Sequence, residues 1–275
     1  MFDNAPSILV DGEPLDSIAV SDRAIHYGDG LFETIAISHG RPQLWSAHME
    51  RLLAGCSRLG IPLPDLQRLA AESEQLCRDH SQAILKVIIT RGSGGRGYRS
   101  PAQPAPRRVV IRYPWPAMPD WQQGVRLRWC RTPLGCNPLL AGIKHLNRLE
   151  QVLARNEWQD EGIYEGLMCD PQGHLVEGTM SNLFAWRDGV LYTPDLSHCG
   201  VAGVMRQQLL AMAQQMGMRC EHLRQQGPAW EGMEELMISN SLIGVVPVSQ
   251  LGEQRFEIRR GLELRRAMQS WLEGR

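Results

Sequence analysis

The choice between two fold classes for this chain of 275 residues rests on the stretch ITRGSGGRGYRSPAQPAPRR, residues 89–108. Within it, Gly92, Gly94 and Gly97 have the spacing G-x-G-x-x-G. In doubly wound α/β proteins, a loop of this kind leaves a strand and opens directly into a helix, whose N-terminal amides bind a pyrophosphate. Residues 83–90, AILKVIIT, are rich in β-branched and apolar side chains and predict the required strand.

The helix that such a dinucleotide site needs is not predicted. Pro101, Pro104 and Pro106 remove amide donors and bias each preceding residue away from helical backbone. The next regular run, residues 107–113, predicts another strand, so the glycines lie in a long loop between two strands and provide close turns. Because strands and helices elsewhere show neither regular βαβ repetition nor internal repeats, we predict an α+β fold.

The first part of the chain predicts a smaller domain of strands and helices. Strands are expected at residues 17–20 and 31–38, with a His39-Gly40 turn after the second. Ser46 is expected to cap a helix that runs to about Leu59, and Asp65 a second helix. A stiff connector with three prolines follows. The predicted domains are therefore residues 1–113 and 121–275, joined by a linker of residues 114–120.

The second part predicts a hairpin at Asp188-Gly189, because Asp-Gly between two apolar runs is a strong hairpin signal. A helix is expected after Gly203, and another over residues 147–158 with Leu149, Val152 and Leu153 on one face. Further strands are expected at residues 125–130, 236–239 and 244–248, and a closing helix at residues 259–272.

Composition excludes several classes of partner. The 29 basic and 30 acidic residues give a net charge of -1, which favours neither a nucleic acid nor an anionic membrane. No stretch approaches the roughly eighteen apolar residues of a membrane helix, and no leader pattern is seen, so we expect a cytoplasmic protein with a small-molecule ligand. The seven cysteines are scattered without a C-x-x-C pair, which predicts neither a disulfide framework nor a metal site.

Only two of the 29 basic residues, Lys86 and Lys144, are lysines, and the other 27 are arginines. Arginine cannot form a Schiff base, because its guanidinium stays protonated and delocalised. Lys86 lies within a predicted strand and is interpreted as a structural residue at a sheet edge. Lys144 lies in a segment marked by proline and glycine, where stability does not demand a lysine, and it is the candidate for Schiff-base chemistry.

Two further segments allow alternative interpretations. Glu177, in HLVEGTMSN, is either a solvent-facing turn residue or a carboxylate that keeps a pyridinium nitrogen protonated. In GVAGVMR, residues 200–206, the glycines form either a tight turn or a helix start, where free amides suit a phosphate.

Taken together, these segments resemble the fold-type IV pyridoxal phosphate enzymes, which include branched-chain and D-amino acid aminotransferases and lyases of 4-amino-4-deoxychorismate. The resemblance rests on SDRAIHYGDGLFET (21–34), HMERL (48–52), Lys144, EGTMSN (177–182) and GVMR (203–206). It implies a two-domain α+β fold with a larger C-terminal pseudo-barrel domain, pyridoxal 5'-phosphate as cofactor, and a homodimer.

The resemblance also implies roles for individual residues. Lys144 would form the Schiff base with the cofactor, and Glu177 would face its pyridine nitrogen. The remaining implied cofactor-binding residues are Arg51, which would bind the phosphate, together with the amides of Val204 and Met205, Ser241, Ser181 and Asn182.

Residues 91–98 and 141–150 resemble the lyase members most closely, which implies conversion of 4-amino-4-deoxychorismate into 4-aminobenzoate and pyruvate for folate synthesis. Arg91, Arg96 and Tyr98 are then expected to bind the substrate carboxylates, and Thr34 to assist proton transfer. Phe32 occupies a position where the aminotransferases often carry tyrosine. Aminotransferase activity and a non-enzymatic binding module remain alternatives, although retention of Lys144 and Glu177 disfavours the second.

Overall fold

The computed structural model describes residues 7–273, which form two compact units. The first unit contains the chain up to Ala117 together with Ile143–Asn147, and the second contains Met118–Gly142 and the chain from Arg148 onward. Each unit has its own sheet and its own helices, and both parallel and antiparallel pairings occur, so the predicted α+β class is confirmed. In the described part of the chain, no helix is long and apolar enough to cross a membrane.

The first unit is a five-stranded antiparallel sheet with the strand order β1-β5-β4-β2-β3. Its elements, in chain order, are β1 (Ser7–Val10), α1 (Arg23–Tyr27), β2 (Gly30–Ser38), β3 (Arg41–Pro42), α2 (Trp45–Leu59), α3 (Leu66–Cys77), β4 (Gln82–Thr90) and β5 (Arg107–Pro114).

The period-2 alternation of β2 and β4 gives this sheet two different faces. One face is buried and mostly apolar, with Ile35 and Leu85 fully covered, and α2 and α3 pack against the sheet. Phe32, Thr34 and Lys86 lie on the opposite face and are half-buried. We call this opposite face the open face.

Three local expectations for the first unit meet different outcomes. Asp65 caps α3, because its carboxylate accepts hydrogen bonds from the amides of Gln67 and Arg68, as predicted. The helix predicted from Ser46 instead has Leu44 as its N-cap, in a left-handed conformation with no side-chain cap. The strand predicted at residues 17–20 is wrong, because no neighbouring strand pairs with this segment and Val20 is exposed.

The second unit is a nine-stranded half-barrel sheet with the order β11-β10-β9-β12-β13-β6-β7-β8, in which β14 pairs with β13. Its elements are β6 (Val125–Trp129), α4 (Leu149–Arg155), β7 (Glu165–Cys169), β8 (Leu175–Gly178), β9 (Asn182–Arg187), β10 (Val190–Pro194), α5 (Val204–Gln215), β11 (Arg219–Leu223), β12 (Glu235–Asn240), β13 (Gly244–Leu251), β14 (Gln254–Arg255) and α6 (Arg259–Glu273).

The hairpin predicted at Asp188-Gly189 is confirmed, since both residues have positive φ, at 51° and 79°, as a type I′ turn requires. The helix predicted over residues 147–158 is shorter, at Leu149–Arg155. Its three apolar residues do share one side, but Leu149, Val152 and Leu153 are exposed. The spacing of the apolar residues identified this helix face, but it did not show whether the face is buried or exposed.

Candidate active site

Lys144 is fixed to the first unit through its backbone. The amide of Phe32 donates to the Lys144 carbonyl at 2.9 Å, and the amide of Leu146 donates to the Gly30 carbonyl at 3.0 Å. These bonds attach Ile143–Asn147 to the first residues of β2. The Lys144 ammonium lies 4.4 Å from the centre of the Phe32 ring, at cation–π distance.

Lys86 faces the same aromatic ring from another strand. Its Nζ lies 5.3 Å from the centre of the Phe32 ring, and Thr34 is its direct cross-strand partner. The structure therefore brings both lysines and Thr34 to the open face. The expectation that Lys86 lies at a sheet edge is wrong, because β4 pairs with β2 on one side and with β5 on the other.

A buried cluster lies on the other face of β2. Arg51 Nε donates to Glu33 Oε1 at 2.8 Å, and His48 Nδ1 lies 2.6 Å from Glu33 Oε2. Burial alone would raise the pKa of Glu33, but Arg51 and His48 hold it below its ordinary value. Burial lowers the pKa of His48, with Glu33 opposing. Because a carboxylate only accepts hydrogen bonds, His48 Nδ1 is the donor to Glu33.

Glu33 and His48 were missed at the level of the sequence. The available signal was an acidic residue at a position where the alternation of β2 calls for an apolar, buried side chain. The cluster fixes the Arg51 guanidinium, the residue expected to bind the cofactor phosphate.

Glu177 in the second unit is buried, which excludes its interpretation as a solvent-facing turn residue. Its Oε2 accepts the amide of Val201 at 2.9 Å and the side-chain amide of Asn182 at 3.3 Å. The same Asn182 accepts the Gly203 amide through Oδ1 at 3.1 Å. Asn182 thus joins the Glu177 carboxylate to the first turn of α5.

The N-terminus of α5 is suited to an anion. Its N-cap is Gly203, and no side chain caps this end. A Cβ on Gly203 would lie 2.0 Å from Asn182 Oδ1, so glycine is required here. Val204 and Met205 are the first two residues of α5, and their amides have no carbonyl acceptor within the helix. The helix macrodipole also favours a negative charge at this end.

Glu165, a second acid missed in the sequence, supports the loop after Glu177. It is fully buried and accepts the Thr179 hydroxyl at 2.6 Å, the Met180 amide at 3.1 Å and the Ser181 hydroxyl at 2.9 Å. Burial raises the pKa of Glu165, and these donors oppose the rise. The Ser181 hydroxyl is therefore directed to Glu165 in this structure.

Ser241 lies in a turn next to the same loop. Asn240 donates from Nδ2 to the Met180 carbonyl at 3.1 Å and accepts the amides of Leu242 and Ile243 through Oδ1. Ser241 is thereby fixed between a strand end and the turn that follows it.

A short backbone pairing lies directly before Lys144 in the chain. Gly142 donates to the Gly200 carbonyl at 2.9 Å and accepts the Ala202 amide at 3.0 Å. Two residues span at most about 7 Å, so chain connectivity alone keeps the Lys144 backbone within that distance of Gly142. Glu177 bonds to Val201, the residue between the two partners of Gly142.

Arg91 does not present a donor to a ligand, contrary to expectation. It is buried, and its guanidinium donates to Asp29 at 2.7 Å and to the carbonyls of Gly60 and Leu59 at 2.8 Å each. The strand end buries this arginine together with its partners. Its role is to fix the start of the glycine-rich loop.

Arg96 and Tyr98 are exposed on a loop that is itself well anchored. The buried Arg23 donates to the carbonyls of Gly97 and Tyr98, each at 3.0 Å. The prediction that the glycines serve close turns is confirmed at Gly92, which has a φ of 86° and where a Cβ would lie 1.9 Å from a backbone carbonyl oxygen. Within residues 7–273, no group of three or more potential ligands is arranged for a metal ion.

A family model described as amino-transferase class IV matches residues 30–251 of this chain. The chain belongs to the amino-transferase class IV family. The matched residues of this class IV chain include Arg51, Lys144, Glu177 and Ser241.

Relatives of this class IV chain include both lyases and aminotransferases. It is 38% identical to the aminodeoxychorismate lyase of Vibrio harveyi over 242 residues, which is 87% of this chain and 89% of that protein. It is 27% identical to the branched-chain-amino-acid aminotransferase of Escherichia coli (strain K12), over 86% of this chain and 82% of that protein.

Among solved structures, the 4-amino-4-deoxychorismate lyase from Pseudomonas aeruginosa matches with a TM-score of 0.90 and 46% identity. The match covers 97% of this chain and 98% of that chain. The expected fold-type IV arrangement of the class IV chain is thereby confirmed.

Proposed function

We propose that this chain is a pyridoxal-phosphate-dependent lyase that converts 4-amino-4-deoxychorismate into 4-aminobenzoate and pyruvate, in the route to folate. The observation that carries the proposal is a contrast in identity. The chain is 46% and 38% identical to two lyases named for this substrate, but 27% identical to the Escherichia coli aminotransferase over a similar share of its length.

The residues present fit the cofactor. The donor set contains a primary amine at Lys144, a buried carboxylate at Glu177 and an uncapped helix N-terminus at Gly203. These match an aldehyde, a pyridine nitrogen and a phosphate, respectively. When bound, pyridoxal phosphate would supply a carbonyl that condenses with amines and a protonated ring that accepts electrons.

Glu177 would hold the proton at the ring nitrogen, while the Val201 amide and the Asn182 side chain keep its carboxylate oriented. The phosphate would bind the amides of Val204 and Met205. Arg51, held by Glu33, and Ser241 would complete that site. Asn182 and Ser181 would act by orienting Glu177 and the adjoining loop.

Lys144 would act as the base that removes the proton from the substrate carbon bearing the amino group. The bond between the ring carbon and the enolpyruvyl oxygen then breaks, which makes the six-membered ring aromatic, and the departing enolpyruvate gains a proton at its methylene carbon to become pyruvate. Thr34, on the same face as Phe32, is proposed to assist that protonation.

Arg96 and Tyr98 are proposed to bind the substrate carboxylates, since a guanidinium and a phenol are suitable donors. This role is supported by the exposure of both side chains on a loop whose backbone is hydrogen-bonded to the buried Arg23. Arg91 is not included, because its guanidinium is committed within the fold.

We further propose a cytoplasmic homodimer. The scattered cysteines, without a C-x-x-C pair, agree with a reducing compartment. The exposed Leu139, Leu149 and Leu153 supply apolar surface of the kind that interfaces cover. Light scattering should give twice the chain mass of 30.9 kDa, and a mass of one chain would reject the dimer.

Purified protein with pyridoxal phosphate tests the reaction when incubated with 4-amino-4-deoxychorismate and, separately, with D-alanine and 2-oxoglutarate. We expect 4-aminobenzoate and pyruvate in equal amounts from the first mixture and no keto-acid exchange in the second. Exchange without 4-aminobenzoate would assign the chain to the aminotransferases. No product in either mixture, with cofactor bound, would favour a binding module.

A further inference from the structure

Two cysteines in the second unit are in contact at a point that the proposed reaction does not use. The Sγ atoms of Cys136 and Cys199 lie 3.9 Å apart. Cys136 is exposed on the loop before the Gly142 pairing, whereas Cys199 is buried and directly precedes Gly200. A disulfide needs a sulfur separation of about 2.05 Å, so the two atoms must approach by roughly 2 Å.

The surroundings of the two thiols differ in burial and packing. Cys199 belongs to a buried apolar cluster with Leu134, Val176 and Leu196. The glycine that follows it is tightly packed, since a Cβ on Gly200 would lie 2.7 Å from Val176. We therefore expect Cys136, which is exposed and less closely packed, to make the approach.

We propose that Cys136 and Cys199 are an oxidation site, at which a hydroperoxide converts the two thiols into a disulfide. The hydroperoxide breaks its O–O bond on the Cys136 sulfur, which becomes a sulfenic acid and releases an alcohol or water. The Cys199 sulfur then attacks the Cys136 sulfur, the S–S bond forms, and a second water carries away the sulfenic oxygen with the Cys199 proton.

The environment fits this order of events. Cys199 is buried, which shields it from the oxidant, and the burial raises the pKa of its thiol. Cys136 is the accessible partner. A second thiol next to an accessible cysteine makes its oxidation reversible, because the second thiol converts the sulfenic acid into a disulfide.

The disulfide would restrain residues 136–142 at both ends. Residues 136–142 are already joined at Gly142 to Gly200 and Ala202. A covalent bond from Cys136 to Cys199 would attach the other end to the same stretch, residues 199–202. This segment leads directly into Lys144, so oxidation would restrain the approach to that residue and stabilise the second unit.

The test compares reduced protein with protein treated with hydrogen peroxide. We expect the thiol titre in denaturant to fall from seven to five per chain, a cross-linked peptide containing Cys136 and Cys199, and full recovery with dithiothreitol. The oxidised form should melt about 5 °C higher than the reduced form. Cys136→Ser and Cys199→Ser should each abolish the cross-link, while the control Cys220→Ser should retain it.

Three results would overturn the proposal. The first is seven free thiols after treatment, or Cys136 oxidised to a sulfonic acid without a cross-link. The second is a cross-link that joins other cysteines. The third is a melting temperature of the oxidised form equal to or below that of the reduced form, which would show that the disulfide does not restrain residues 136–142. None of these outcomes depends on the reaction that the enzyme catalyses.

Discussion

Lys86 and Lys144 carry the same functional group and face the same aromatic ring, yet they occupy different kinds of backbone. Their ammonium nitrogens lie 5.3 Å and 4.4 Å from the centre of the Phe32 ring. Lys86 lies in the middle of a strand that is paired on both sides. Lys144 lies on a short segment attached to the start of β2, two residues after Gly142.

The difference lies in what the backbone connects. The strand that carries Lys86 leads only to the rest of its own sheet. The segment that carries Lys144 follows Gly142, which pairs with Gly200 and Ala202 on either side of a residue bonded to Glu177. Our proposal of Lys144 as the catalytic lysine rests on this backbone connection, whereas the strand of Lys86 pairs with β2 and β5 of its own sheet.

The largest expected effect comes from removing each lysine in turn. Lys144→Ala should lower kcat for 4-aminobenzoate formation by about 10³-fold or more, since both the amine and the base are lost. Lys86→Ala should stay within about threefold of wild type, because it removes only a half-buried side chain. Lys144→Arg is the charge-matched control and should be as inactive as the alanine variant. A reversed order would exchange the roles of the two lysines.

The second test changes Glu177, whose carboxylate bonds to Val201 between the two backbone partners of Gly142. Glu177→Gln should lower kcat by about 10²-fold, because an amide cannot hold a proton on the cofactor nitrogen. The fold should be retained, since the amide oxygen still accepts the Val201 amide. Glu177→Asp keeps the charge and should lose less. Equal activity of wild type and Glu177→Gln would remove Glu177 from the reaction.

The third test uses the buried face of β2 and leaves both lysines in place. Glu33→Gln removes the counter-charge of Arg51 and should cost about 3 kcal/mol of unfolding free energy at neutral pH, measured by urea denaturation. The cofactor affinity of the Glu33→Gln variant tests whether the position of Arg51 affects cofactor binding.

The same carboxylate predicts an acid limb in the pH dependence of stability. Burial opposes ionisation, but Arg51 and His48 lower the pKa of Glu33 below its ordinary value of 4.5. Its contribution is therefore present above pH 4.5 and is lost as the pH falls through the lowered, folded-state pKa. The urea midpoint should fall less steeply with acid in Glu33→Gln than in wild type. Identical acid limbs would contradict this assignment.

A smaller effect is expected at Glu165, which supports the Glu177 loop from below. Glu165→Ala leaves the donors of Thr179, Met180 and Ser181 without their acceptor and should cost about 2 kcal/mol in urea denaturation. Glu165→Gln retains one acceptor oxygen and should lose less stability. If the alanine variant were as stable as wild type, Glu165 would have no supporting role.

The smallest effect concerns the ring that the two lysines share. Phe32→Leu removes both cation–π contacts and should cost about 1 kcal/mol of unfolding free energy. The cost should shrink when Phe32→Leu is combined with Lys86→Ala, in a double-mutant cycle. A cost that is unchanged in that background would show that the Lys86 contact contributes nothing.

Local signals in the sequence were sufficient for several elements. Asp65 as a cap, Asp188-Gly189 as a turn and the helix after Gly203 all follow from short-range backbone chemistry, and all are present. The α+β class followed from the lack of regular βαβ repetition, and the prolines after Gly97 excluded the helix of a dinucleotide-binding loop. These features depend on neighbours in sequence, which is why the sequence could predict them.

Features that depend on strand order were not predictable in the same way. Periodicity predicts that Lys86 lies in a strand, but it does not show which strands flank β4. The expectation that Lys86 lies at a sheet edge was therefore wrong. The sequence did not show that Arg91 is buried against Asp29 and Leu59, because these contacts form only in the tertiary structure. Arg91 was therefore expected to bind substrate. Glu33 and Glu165 were missed because a buried acid in an apolar run is recognisable only once its partners are known.

Sodium borohydride reduction of the protein loaded with pyridoxal phosphate tests the distinction between the two lysines most directly. Reduction fixes the cofactor to the amine that binds it, and peptide mapping by mass spectrometry then locates it. We expect a single pyridoxyl phosphate addition on the peptide containing Lys144 and none on the peptide containing Lys86. Addition at Lys86, or no addition at either lysine, would contradict the assignment of Lys144 as the cofactor-binding residue.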